Sequence, residues 1–178
     1  MVEFELTYLA KYLPEDLSKF PSNEMMDIYI PAAFDHPKIR IRKNGDKFEI
    51  TKKEPVHGTD SSEQLEQTIK ITAEEFQEFT KIPGKILKKR RYFYKIDNRT
   101  AEIDVFGGEL TGLVLVDVEF NNNDEKNEFL MPGFCLAEVT QEKFIAGGML
   151  CGKKYSDIEG NLREYNYTKL IWDTNEQS

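Results

Sequence analysis

Cysteine and histidine are scarce in this 178-residue chain, with two of each. Cys135 and Cys151 sit in apolar stretches (GFCLA and GMLCG) without a histidine pair, which excludes a zinc site of the usual ligand count. They read as reduced, partly buried thiols. His36 stands beside Pro37 and His57 beside Gly58, both loop contexts, so a serine–histidine or cysteine–histidine hydrolase has no support. Long apolar runs are missing too: none approaches the roughly 20 residues of a membrane helix. The N-terminal MVEFELTYLAKYLPEDL alternates and begins with acids, unlike a secretory signal, so the expected setting is the cytoplasm with no membrane partner. Nor is positive charge in excess. A net charge of −8 argues against a nucleic-acid partner held by a broad basic surface, while leaving room for a local basic pocket.

What is present is a soluble, globular composition, 39% hydrophobic and 31% charged, which supports one core and a single domain over residues 1–178. The tail after about residue 173 is expected to fray, and Trp172 to cap one end of the fold. Hydropathy alternates with period two along most of the chain. Phe4, Leu6 and Tyr8 share one face and Glu3, Glu5 and Thr7 the other; Ile39 and Ile41 oppose Arg40 and Arg42. Asn44-Gly45 then signals a tight hairpin into a strand over 47–53. Further strands are expected over 27–30, 64–71, 85–95, 101–106, 113–120 and, shorter, 135–140. Helices are few: a short one from Pro14, one opened by the Thr72/Glu75 capping box and running to about Thr80, and one over 141–150. Residues 54–62 and 121–127 read as exposed loops, and 155–170 as either a final hairpin or a plug. Eight or so antiparallel strands with a few helices imply a mainly β fold, a sandwich or a closed barrel.

Charge decides between those two. Same-sign pairs recur two residues apart: Glu3 and Glu5, Arg40 and Arg42, Lys88 and Arg90, Glu102 and Asp104, Asp117 and Glu119. Such neighbours lie roughly 6.6 Å apart on one strand face. They repel by about 0.6 kcal/mol in water and about 2.5 kcal/mol at an effective dielectric near 20. An exposed face tolerates that once but has no reason to repeat it five times sorted by sign. In 113–120 the face opposite Asp117 and Glu119 is Val114, Val116, Val118 and Phe120. A barrel that is apolar outside, under helices, and charged inside accounts for both features. Charges inside need compensation: carboxylates suit Mg²⁺ or Mn²⁺, and Arg or Lys suits phosphate.

On these segments the chain resembles the CYTH superfamily, the triphosphate tunnel metalloenzymes, across roughly residues 1–150. The matching stretches are Glu3-Phe4-Glu5, IRIRKNGDKFEITKK (39–53), TIKITAEEF (68–76), KKRRY (88–92), AEIDVFGGELTGLVLVDVEF (101–120) and AEVT (137–140). The resemblance implies a closed, eight-stranded antiparallel tunnel flanked by a few helices. It also implies that Glu3, Glu5, Asp104, Asp117 and Glu119 hold metal, with Glu5 and Glu119 the catalytic acids among them. Arg40, Arg42, Lys52, Lys88 and Arg90 would bind phosphate, with Glu66 a further match. The implied activity is metal-dependent hydrolysis of inorganic triphosphate or a small organic triphosphate, using Mg²⁺ or Mn²⁺. A polyphosphate- or nucleotide-binding protein without turnover and a class IV-type adenylate cyclase stay open as alternatives, as does a homodimer. One departure stands out: the lysine of the family's ExExK motif is Thr7 here. That implies a changed substrate, a slower enzyme or a binding protein unless another base such as Lys70 or Lys143 offsets it. Lys11 shares the strand parity but lies about 13 Å further along and is a poor substitute.

Overall fold

The computed structural model describes residues 2–171; the expected cap at Trp172 and the tail beyond it lie outside the described residues. Nine strands form one antiparallel sheet: β1 (Val2–Ala10), β2 (Ser22–Ile30), β3 (Ile39–Asn44), β4 (Lys47–Pro55), β5 (Glu63–Ile71), β6 (Lys85–Ile96), β7 (Arg99–Phe106), β8 (Val114–Phe120) and β9 (Cys135–Glu138). Their order is β5-β4-β3-β2-β6-β7-β8-β1, and β1 pairs back onto β5 through Val2–Phe4, which closes an eight-stranded barrel. Strand β9 lies outside this ring, paired with the far end of β1 at Tyr8–Ala10. One edge of β1 is therefore shared, by β5 at its start and β9 at its end. Between them Glu5 N donates to Ser62 O at 3.0 Å and Thr7 N to Thr140 Oγ1 at 3.1 Å, so the backbone stays satisfied across the change of partner.

Alternation then sorts side chains to two sides of the wall. The outer face of β2–β4 presents Ile28, Ile41 and Ile50 to helix α1 (Ala73–Phe79), whose Phe76 is buried on them. Thr72 and Glu75 cap that helix reciprocally, as the sequence predicts. The outer face of β1 and β6–β8 carries Leu6, Tyr8, Ile103, Val116 and Val118, covered by Leu17 and Phe134 from the connecting segments. Inside, one end of the barrel is apolar: Leu9, Leu87, Phe106 and Leu115 pack with Ile145, Leu150, Ile158 and Leu162. Those last four come from a 3-10 turn at Lys143–Ile145, helix α3 (Gly147–Leu150) and helix α4 (Tyr155–Glu164). The C-terminal segment is thus a helical plug rather than a hairpin.

Two local expectations are corrected. Residues 141–150 break into a turn and the short α3, because Gly147 and Gly148 pack too tightly for side chains: a Cβ would fall 2.0 Å from Tyr29 Oη and 2.3 Å from Pro37 O respectively. The polar stretch 121–127 contains helix α2 (Asn123–Glu128), whose N-terminus is capped by Asn122, with Asp124 and Glu125 in the first turn. It shows no apolar stripe because it anchors through a lysine: the Lys126 ammonium donates to Ser62 Oγ at 2.7 Å. None of the helices among the described residues is long and apolar enough to cross a membrane.

Candidate active site

Above the plug, the barrel encloses a cavity of about 480 Å³ lined by side chains from every strand of the ring. Strands β1 and β8 build its acidic wall. Their register sets Glu5 opposite Glu119 and Thr7 opposite Asp117, while Glu3 faces the same way one step nearer the open end. Glu3, Glu5 and Glu119 bring carboxylate oxygens within 4.8 Å of one another. Thr7 donates its hydroxyl to Asp117 Oδ1 at 2.8 Å, so the residue in the motif's lysine position is spent on orienting an acid.

The basic wall comes from β3, β4 and β6. Arg42 is buried and forks onto Asp27, Nε to Oδ1 at 2.6 Å and Nη2 to Oδ2 at 2.7 Å. Arg40 lies 3.7 Å from Glu66, and its buried Nε has no hydrogen-bond partner. Lys53 lies 2.7 Å from Glu3, 3.4 Å from Glu5 and 3.3 Å from Glu66. Arg91 forks onto Asp104 through Nε and Nη2, both at 2.7 Å, and also contacts Glu102 and Asp117. Lys89 also donates to Asp104 Oδ2, the oxygen that accepts from Arg91 Nη2.

These neighbours push the acids apart in proton affinity. Burial raises Glu119, and Glu102, Glu3 and Glu5 push it further, to about 7. Burial also raises Asp117 to about 7, with Glu5 and Asp104 adding repulsion. For Glu5 burial acts upward but is outweighed by Lys53, with Arg91 and Arg40 helping, so it lies below the usual carboxylate range. Asp104 is likewise buried, yet Arg91 and Lys89 hold it at about 2. Burial lowers Lys89, and Arg91 beside it lowers it further. Acids of opposite character sit within one wall, the arrangement a proton-handling site needs.

Of the expected residues, Glu3, Glu5, Arg40, Arg42, Glu66, Asp104, Asp117 and Glu119 line the cavity together. Three do not. Lys88 and Arg90 point outward: Lys88 is exposed and Arg90 pairs with Glu24 on the outer surface. Their neighbours Lys89 and Arg91 take the inner face, because the β6–β7 pairing sets Arg91 opposite Asp104. Lys52 also lies outside, in an ion pair with Glu54 at 2.8 Å, and Lys53 takes its place inside. In each case the inward residue is the neighbour of the expected one, and on a strand a shift of one residue reverses the face. Asp104 is inside but belongs to Arg91 and Lys89; among the described residues the converging acid group comprises Glu3, Glu5 and Glu119.

That trio suits a divalent ion. Its donors are hard carboxylate oxygens, the set Mg²⁺ and Mn²⁺ prefer. At Glu119 loss of hydration and, after it, repulsion from Glu102, Glu3 and Glu5 outweigh the attraction of Lys53, so a further cation there is favoured.

No family model matches the chain. An inorganic triphosphatase from Nitrosomonas europaea is 31% identical over 145 residues, 80% of this chain and 92% of that protein. The crystal structure of an inorganic triphosphatase superposes with a TM-score of 0.61 at 25% identity, covering 85% of this chain and 95% of the other. A conserved hypothetical protein of Pyrococcus furiosus shares the fold at 24% identity, with a TM-score of 0.51 over 71% of this chain and 84% of that one.

Proposed function

Because the chain belongs to the CYTH family of triphosphate tunnel metalloenzymes, we propose that it hydrolyses inorganic triphosphate or a small organic triphosphate inside this cavity. The observation that carries the reading is the sorted cavity. Three convergent carboxylates stand on one wall, and Arg40, with a buried and unpartnered Nε, stands on the other. An anionic chain of phosphates with a divalent counter-ion satisfies both at once.

Glu3, Glu5 and Glu119 would hold Mg²⁺ or Mn²⁺, which supplies a Lewis acid for the phosphoryl oxygens. The protein's own residues do the rest. Arg40, Arg42, Lys53, Lys89 and Arg91 bind the phosphate oxygens and align the chain of phosphates. Glu119, exposed at the mouth, orients the water and takes its proton on the carboxylate oxygen not engaged with the metal. The water oxygen bonds to the terminal phosphorus as the anhydride bond to the bridging oxygen breaks. Lys89 and Arg91 stabilise the charge that develops on the departing diphosphate. No side-chain nucleophile is needed. The setting is the cytoplasm, with the whole chain acting as one domain.

Phosphate release from tripolyphosphate, measured with Mg²⁺, with Mn²⁺ and with a chelator, tests this. Wild type should turn over only with metal, and Glu5→Gln and Arg40→Ala should each lose at least about a hundredfold. A wild type inert towards inorganic, nucleoside and thiamine triphosphates with both metals would overturn it; tight calorimetric binding without turnover would then assign a binding protein, the outcome the loss of the motif lysine at Thr7 favours.

A further inference from the structure

Lys53 occupies an unusual position for a phosphate-binding base. Its ammonium lies 2.7 Å from Glu3 Oε2 and 3.4 Å from Glu5 Oε2, two of the three acids that converge in the cavity. Its third partner, Glu66 at 3.3 Å, stands opposite it in the β4–β5 ladder and outside that trio. The side chain is three-quarters buried, at 25% exposure, so its charge is poorly screened by water. Lys53 therefore already sits against two of the three carboxylates that a divalent ion would take. Two cations cannot share those oxygens without strong mutual repulsion.

Resting on the reading of the cavity as a metal and triphosphate site, we propose that Lys53 is a built-in counter-cation that couples the two ligands. In the empty protein it neutralises Glu3 and Glu5 and opposes metal binding. When a phosphate anion enters, the ammonium turns from the trio to the phosphate while keeping Glu66, which frees the two carboxylates. Metal then binds a site whose competing cation has been drawn off. Phosphate and metal so become positively coupled, and linkage requires that each raises the affinity of the other by the same factor. Thr7 fits this scheme: its hydroxyl is committed to Asp117, so no second ammonium from β1 competes for the trio.

The test is calorimetric titration of the full chain with Mn²⁺, with and without saturating inorganic phosphate, which needs no turnover. Wild type should bind Mn²⁺ weakly alone and roughly tenfold or more tightly with phosphate, within the usual range of coupled sites. Lys53→Gln should bind Mn²⁺ alone about tenfold more tightly than wild type and show no further gain from phosphate. Lys53→Arg should restore the wild-type pattern, and Lys52→Gln, one residue away on the outer face, should match wild type. Lys53→Met serves as a second neutral variant, with melting curves to check that each is folded. If neither neutral variant tightens Mn²⁺ binding threefold, or if phosphate helps them as much as wild type, the coupling role is overturned while the metal site stands. If no protein binds Mn²⁺ in either buffer, the metal reading of the trio falls and this role with it.

Discussion

Asp27→Ala should be among the most damaging single substitutions in the barrel, although Asp27 is no candidate for catalysis. Asp27 is 2% exposed and Arg42 5%, and two short bonds join them, at 2.6 and 2.7 Å. Truncating the acid leaves a guanidinium buried without its partner. Two opposite charges about 4 Å apart attract by roughly 4 kcal/mol at an effective dielectric near 20. Most of that attraction repays the cost of taking both charges out of water, so the pair adds little net stability. Breaking it, by contrast, exposes the full desolvation cost of Arg42, about 3–5 kcal/mol. For a domain of this size each kcal/mol is worth roughly 2–4 °C, so melting should fall by about 10 °C. The double variant Asp27→Leu/Arg42→Met should recover most of the loss. The pair also has a pH signature. Arg42 depresses the folded-state pKa of Asp27 despite its burial, so its stabilisation is present above the unfolded value of about 3.9 and lost as pH falls below it. Urea unfolding of wild type, Asp27→Leu, Arg42→Met and the double variant gives each term of the cycle. A single Asp27→Ala costing under 1 kcal/mol, or a double variant worse than the single, would refute the reasoning.

Three further outcomes are expected. Burial and neighbouring acids raise Glu119 and Asp117 to about 7, so each favours its protonated form in the folded state; their contribution to stability falls as pH rises from about 4 through 7. Metal-free wild type should therefore lose melting temperature between about pH 5 and 7 relative to Glu119→Gln by a few degrees, discounted for the exposure of Glu119; parallel curves would contradict this. Gly147→Ala would place a methyl 2.0 Å from Tyr29 Oη, pushing Tyr29 off its contact with Arg40, and should cost about 1–3 kcal/mol and raise KM more than it lowers kcat. Phe76→Ala removes the one fully buried anchor of α1 and should cost about 3–5 kcal/mol by thermal unfolding, with activity below the melting point unchanged because Phe76 packs on the outer wall.

The barrel was legible in the sequence because period two survives in nearly every strand. Its charged interior was legible because acids and bases repeat on one face. What failed was parity, in two strands. Along 47–55, Phe48 and Ile50 already mark the outer face, and Lys52 continues it; Arg42 opposes Glu49 and Arg40 opposes Thr51, which sends Lys53 inward. Reading the turn as Asn44-Gly45 instead of the observed Gly45-Asp46 would not have changed that parity, so Lys53 was available from the hairpin itself. Along β6 the run Lys88-Lys89-Arg90-Arg91 puts two bases on each face, and composition cannot choose between them. The choice is made by the two-residue turn at Asp97-Asn98, with Asp97 at φ 51°, which locks Arg91 opposite Asp104. The plug was legible only as one of two alternatives for 155–170, because residues 139–167 pack on the inside of distant strands and no local pattern reports contacts of that range. Helix α2 was hidden because its buried anchor is Lys126 rather than an apolar residue.

The claim that the inner face of the barrel carries the chemistry is tested most directly by neighbouring lysines that differ only in the side of the wall they occupy. Steady-state phosphate release from tripolyphosphate with Mg²⁺ should be compared for Lys52→Gln and Lys53→Gln, and for Lys88→Gln and Lys89→Gln. Each pair removes the same charge one residue apart. Lys53→Gln and Lys89→Gln should lower kcat/KM by about thirtyfold or more, the loss of roughly 2 kcal/mol expected for a charge-assisted bond to phosphate. Lys52→Gln and Lys88→Gln should stay within twofold of wild type. Equal losses within each pair, or larger losses for the outward lysines, would contradict the account.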